Sequence, residues 1–193
     1  MMNSCTPVTL EMGDSIVAPN TNNFCMPVTV QDYNDIVSLQ LTISWDPAVM
    51  TFDQIVGVNI PQGNIGVGPA NITDSVRINV FDFFQTPVSI PDGETAFLIC
   101  FDIIGPVGST TDLTIEDNDN TEITGTGAMN NRVAYTFNNG SVLISDGTLL
   151  IDVTTICASS TNPVEGGFNF ITSGGTAPYD YTYQQTGGPT MGN

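Results

Sequence analysis

Residues 116–122 read Glu-Asp-Asn-Asp-Asn-Thr-Glu, crowding Glu116, Asp117, Asp119 and Glu122 together with the amides of Asn118 and Asn120. Oxygen donors at this density suit Ca²⁺, a hard cation that takes carboxylate and carbonyl ligands. Asp117, Asp119 and Glu122 are the candidate ligands, and calcium is the only cofactor the sequence suggests. The run is not an EF-hand loop, because the glycine at the sixth position and the terminal glutamate spacing are missing. The alternative is a solvated acidic loop. Asp32, Asp35, Asp82 and Asp92 are scattered and read as turn residues. Paired carboxylates can also cleave a glycosidic bond as acid and base, but no such pair stands out and no catalytic residue is named. Histidine is absent, so neither a Ser-His-Asp nor a Cys-His nucleophile can be assembled. The chain reads as a non-enzyme.

The four cysteines are Cys5, Cys25, Cys100 and Cys157. Without a CxxC pair or histidine they do not suggest structural zinc. Buried free thiols and disulfides in an oxidising compartment are the two readings. Strand phase prefers one pair. In FCMPVTV, Met26, Val28 and Val30 share a face opposite Cys25; in TAFLICFDII, Phe97, Ile99, Phe101 and Ile103 share a face opposite Cys100. Both cysteines then lie off the core side, and Cys25–Cys100 is the expected bond.

Charge narrows the partners. The formal net charge is −18, with 20 acidic residues against Arg77 and Arg132 and no lysine. Phosphate backbones and anionic lipid headgroups both demand cations, so nucleic acid and electrostatic membrane attachment are close to excluded as partners. No stretch approaches the roughly 18 uninterrupted apolar residues of a spanning helix, and no direct membrane insertion is expected. The N-terminal residues lack the pattern of a secretory signal, which says little about location.

The elements that position these residues alternate at period two between Gly, Pro, Asn and Asp punctuation. Strands are expected over 6–11, 15–18, 24–31, 36–45, 55–58, 75–83, 95–104, 112–116, 133–137 and 141–145. One short turn is expected after Asp46-Pro47. Many short strands with turn signals between them predict an all-β, antiparallel, jelly-roll-like sandwich. Over 36–45, Ile36, Ser38, Gln40, Thr42 and Ser44 are expected on a wet side, with Val37, Leu39, Leu41, Ile43 and Trp45 on a dry one. Trp45, the lone tryptophan, reads as a core anchor rather than a sugar platform. A composition shift near residue 147 divides the chain into 1–147 and 148–193.

The segments PVTV, ISWDPAVMTF, PDGETAFLICFDIIG and NNGSVLI resemble those of a cohesin module over roughly 7–146. The resemblance implies a nine-stranded jelly roll and a dockerin-type protein partner. The tail GGFNFITSGGTAPYDYTY resembles the start of the immunoglobulin-like repeat of Bacteroidota gliding-motility adhesins and giant surface proteins. Cys157, Phe168, Phe170, the run 174–179 and Tyr181 carry that match; Tyr183 stands where tryptophan is common. The resemblance implies that 148–193 is the N-terminal part of such a repeat, in a window on a longer tandem protein. It also implies an extracellular or cell-surface location.

Asn71-Ile-Thr and Asn139-Gly-Ser fit the Asn-glycosylation pattern. Ser15 and Ser75, in DSI and DSV, look like Bacteroidota O-glycosylation sites. Such short patterns also arise by chance. Three functions follow. The first is a structural or adhesive module of a secreted filament or surface protein, contacting copies of itself or neighbouring modules. The second is cohesin-type docking, through the side bearing Ser38, Gln40, Thr42 and Ser44. The third is carbohydrate binding, with a surface glycan against Tyr179, Tyr181 and Tyr183. The run 148–156, TLLIDVTTI, is read as the first strand of the second module or as a strand donated to a neighbour's sheet.

Overall fold

The structure, a computed structural model, describes residues 6–68, 73–82, 84, 86–126, 131–148, 150–156, 167–173, 182–184 and 190–192, the backbone alone from 150 onward. The chain divides into two compact units, Met1–Ile144 and Ser145–Asn193. Among the described residues the one helical segment is a single 3-10 turn, Gln62–Asn64, and no helix is long and apolar enough to cross a membrane.

In chain order the first unit contains β1 (Val8–Met12), β2 (Asp14–Val17), β3 (Phe24–Gln31), β4 (Tyr33–Ser44), β5 (Met50–Gly57) and β6 (Ile65–Val67). There follow β7 (Ser75–Phe81), β8 (Val88–Ile90), β9 (Thr95–Ile103), β10 (Thr110–Glu116), β11 (Glu122–Gly125), β12 (Tyr135–Asn138) and β13 (Gly140–Ile144). They form a sandwich. One sheet has the order β12-β1-β3-β9-β5; the other runs β2-β13-β10-β4-β7-β6, with β11 and β8 also paired to β4. Each sheet turns one side inward, because period-two alternation puts apolar residues on a single face. Leu10, Val28, Phe97 and Ile99 from the first sheet meet Leu41, Ile43, Ile78 and Val142 from the second, all with no exposed surface. Trp45 is buried between them, stacked on Phe52 at 6.2 Å, edge-on to Phe101 at 5.1 Å, its indole N–H donating to the Met50 carbonyl.

The pairing is mostly antiparallel, with two exceptions. β1 runs parallel to β12, and β2 parallel to β13. The chain leaves the five-stranded sheet for the other at Gly13 and does so again at Asn139, so both ends cross between sheets side by side. The crossing is tight: a Cβ on Gly140 would lie 2.3 Å from the Gly13 carbonyl oxygen and 3.0 Å from that of Met12. Only glycine fits.

β4 departs from the expected phase. Ile36 is buried at 2 % exposure rather than wet, and Val37 is half-exposed rather than dry. The strand begins at Tyr33, and its register shifts between Tyr33 and Ile36 opposite β8. Asp35, held at φ 53°, makes the irregularity. A second bulge, at Asp53, explains why only the end of β5 was anticipated: it breaks the alternation between Phe52 and Ile55. After Asp46 the chain makes one turn, with the Val49 and Met50 amides donating to the Asp46 carbonyl.

The second unit consists of β14 (Leu150–Ile156) antiparallel to β15 (Gly167–Ser173), and β16 (Thr182–Gln184) antiparallel to β17 (Thr190–Gly192). Cys5, Cys157, Asn71, Tyr179, Tyr181 and the run 174–179 lie outside the described residues.

Candidate docking face

The long central strand β4 is flanked on both sides by interrupted strands. On one side β10 pairs with Ser44–Thr42 and β11 with Gln40–Ile36; on the other, β7 pairs with Ser44–Ser38 and β8 with Ile36 and Tyr33. Each pair is one strand with an excursion in it, 117–121 and 82–87. Both excursions are held by acidic or amide side chains folded back on their own backbone, the Asx-turn habit of Asp and Asn. Asn118 Oδ1 accepts from the Asn120 amide at 2.9 Å, and Asp82 Oδ1 and Oδ2 accept from the amides of Phe84 and Thr86. Hydrogen bonds from Thr86 and Phe84 hold the Asp82 carboxyl below its ordinary value.

This is where the acidic motif sits. Its carboxylates do not gather. Glu116, ending β10, accepts from the Ser44 hydroxyl at 2.5 Å; Asp117 accepts from the Tyr135 phenol at 3.0 Å; Glu122, beginning β11, pairs with Arg132 at 3.0 Å. Partial burial, then the bond to Asp117, raises the Tyr135 pKa. Asp119 is exposed. Among the described residues no three Asp, Glu, His or Cys side chains form a group that could hold a metal. The reason is topological: Glu116 and Glu122 belong to strands, and strand pairing fixes their directions.

Between the excursions lies the outer side of the eight-stranded sheet. Rows of side chains cross it in register: Thr114, Ser44 and Ser75; Glu116, Thr42 and Arg77; Glu122, Gln40 and Asn79; Thr124, Ser38 and Phe81. Ser38 and Thr124 share a 2.6 Å hydrogen bond, and Gln40 Nε2 donates to the Asn120 carbonyl at 2.7 Å. The sequence marked Ser38, Gln40, Thr42 and Ser44; it could not reveal Arg77, Asn79, Glu116 and Thr124 as their neighbours, since register between distant strands leaves no local signal. Thr42, Arg77 and Asn79 make no side-chain hydrogen bond among the described residues. One open depression of about 310 Å³ is lined by Gln40, Asn79, Val67, Phe81 and Glu122, and another of about 370 Å³ by Thr42, Ser44, Asp74 and Glu116. Phe81 is 56 % exposed, its ring over Gly66, and Phe84 is 85 % exposed on the neighbouring excursion.

The remaining sites separate by facing. Cys25 and Cys100 are directly paired across β3 and β9 and joined by a disulfide. Cys100 is fully buried although it lies outside the hydrophobic core. Ser15 pairs with the buried Val142 and faces inward, its hydroxyl 3.9 Å from Met26 Sδ, whereas Ser75 faces outward beside Asp74. Asn139 is exposed, and its side-chain Oδ1 accepts from the Ile115 amide at 2.9 Å where β12 gives way to β13.

No protein-family model matches this sequence, and no curated protein matches it. Solved structures do. The sixth cohesin of Acetivibrio cellulolyticus scaffoldin B, solved in complex with a Cel5 dockerin, superposes with a TM-score of 0.61 at 17% identity, over 72% of this chain and 100% of that one. The seventh ScaB type I cohesin of Pseudobacteroides cellulosolvens gives 0.60 at 15%, over 72% and 92%. A non-cellulosomal cohesin of the archaeon Archaeoglobus fulgidus gives 0.57 at 20%, over 73% and 93%. The fold of this protein is a cohesin-like β-sandwich.

Proposed function

We propose that the first unit is a non-catalytic docking module of an extracellular or cell-surface protein, and that it binds a protein partner on the outer side of the eight-stranded sheet. One observation carries this: an open, in-register array with Thr42, Arg77 and Asn79 unengaged, bordered by exposed Phe81 and Phe84. Open polar arrays with aromatic margins suit protein association rather than enclosure of a small substrate. Support comes from the dockerin seated on a structural neighbour. The test is capture of calcium-loaded dockerins by the purified chain. Binding of one, lost on replacing Thr42 by arginine, is expected; if none binds under any salt condition, dockerin-type docking fails.

A load-bearing role is favoured by a second observation. Because β1–β2 and β12–β13 run parallel, the unit's entry at Val8 and exit at Ile144 lie at opposite ends of the same paired strands. A pull on the chain ends loads both ladders in shear, so their bonds must part together rather than one by one. This suits the structural or adhesive reading, in which the second unit is an immunoglobulin-like neighbour. Pulling the full chain by its ends is expected to need a much higher force than pulling between residue 18 and the C-terminus, which leaves the β1–β12 ladder outside the load. Equal forces would remove the role.

A further inference from the structure

The disulfide joins β3 to β9 across 75 residues of sequence. Inside the closed loop lie β4, β5, β6, β7 and β8; outside it lie β1, β2 and β10 to β13, including both parallel terminal pairs. Tension applied at the ends therefore runs along the first strands to Cys25, crosses the covalent bond, and leaves from Cys100. We infer that this bond limits how far the unit can be drawn out: when the terminal ladders part, the segment carrying β4 to β8 stays closed. Its biological sense rests on the load-bearing reading above. It also concerns docking, because β4, β7 and β6 of the candidate face are all within the closed loop.

The folded unit protects the bond. Cys100 is fully buried and Cys25 half-buried, so in the folded unit a thiolate can approach only from the Cys25 side. The net charge of −18 further repels an anionic attacker. Cleavage is thus expected to be far faster after mechanical opening than before it. The exchange is simple: an external thiolate attacks one sulfur, forms a mixed disulfide with it, and the other sulfur leaves as a thiolate.

The experiment holds the full chain by its ends at constant force, with and without dithiothreitol. At roughly 3.3–3.6 Å per extended residue, the closed loop hides about 250 Å of length. Without reductant, the total extension is expected to fall short by that amount. With it, a further step of about 250 Å should follow the first opening, at a rate rising with thiol concentration. The C25A/C100A variant should extend fully in one stage, with no such reductant-dependent step. Should that variant not fold, the paired wild-type traces decide alone. Full extension without reductant, or a reductant-dependent step preceding opening, overturns the inference. Force and length are read from the same trace: a weak opening with short extension removes the load-bearing reading alone, and a strong opening with full extension removes the limiter alone.

Discussion

On the outer side of the five-stranded sheet, polar groups are directed at one another. Thr9 meets Thr136 at 2.9 Å, Asn138 donates to Glu11 at 2.6 Å, and Asp102 accepts from the Asn23 amide at 2.9 Å, around the Cys25–Cys100 bond. On the outer side of the eight-stranded sheet such bonds engage Ser38, Gln40 and Ser44 and leave Thr42, Arg77 and Asn79 without one among the described residues. Both sheets bury their inner sides equally well, so the contrast is not about stability of the core. Groups already paired gain little from a partner, whereas unpaired donors and acceptors on a rigid platform can exchange water for protein at small cost. One outer side is bonded to itself; the other keeps Thr42, Arg77 and Asn79 unengaged.

The largest effect that would sharpen this contrast falls on the self-bonded side. Replacing Cys25 and Cys100 by alanine releases a loop of 75 residues and should cost about 4 kcal/mol, read from the urea midpoint under oxidising conditions. A shift under about 1 kcal/mol would mean that the unfolded chain is little constrained by the bond. Next comes the crossing shared by both sheets. Gly140→Val drives carbon into the backbone of Gly13 and Met12 and should cost about 3 kcal/mol, whereas valine at Gly63, where a Cβ meets nothing, should cost far less. Equal losses would mean that the crossing can relax.

A smaller effect tests the binding side directly. Thr42→Arg and Thr29→Arg introduce the same group on opposite outer faces, both at half-buried strand positions. Dockerin affinity should fall tenfold or more in the first, about 1.4 kcal/mol, and stay unchanged in the second. A loss confined to Thr29→Arg would move docking to the other sheet. The smallest effect concerns calcium. With Glu116, Asp117 and Glu122 each engaged elsewhere, adding calcium or excess chelator should leave the thermal midpoint of the free chain where it is. A rise with calcium would assign an ion to the excursion 117–121 and change the charge of the binding side.

Strand phase carried much of the fold into the sequence. Where alternation is unbroken, as in FCMPVTVQ, the expected and observed strands coincide at 24–31. It failed where the backbone leaves the regular pleat. Asp35 at positive φ reversed Ile36, and the bulge at Asp53 hid half of β5, because neither residue type announces such a conformation uniquely. β6 and β8 escaped because three residues are too few to show a period, and β11 escaped because it follows the acidic run without a turn signal that sets it apart. The site was half legible: β4 showed which of its residues face outward, but the interruption of both neighbouring strands opposite it is a matter of register across the sheet. That same blindness applies to the acidic run, which reads in sequence as one continuous loop. Its two ends are continuous with one strand, and only pairing with β4 reveals it.

The crossing of both chain ends has a consequence for biosynthesis. Among the described residues β2 has no sheet neighbour except β13, and β13 ends at Ile144. A nascent chain therefore cannot complete the sandwich until the last residues of the unit have emerged, and until then Val17, buried in the finished fold, and the edge of β10 await their cover. Closure of the sandwich from its C-terminal strand is the order that such wiring imposes.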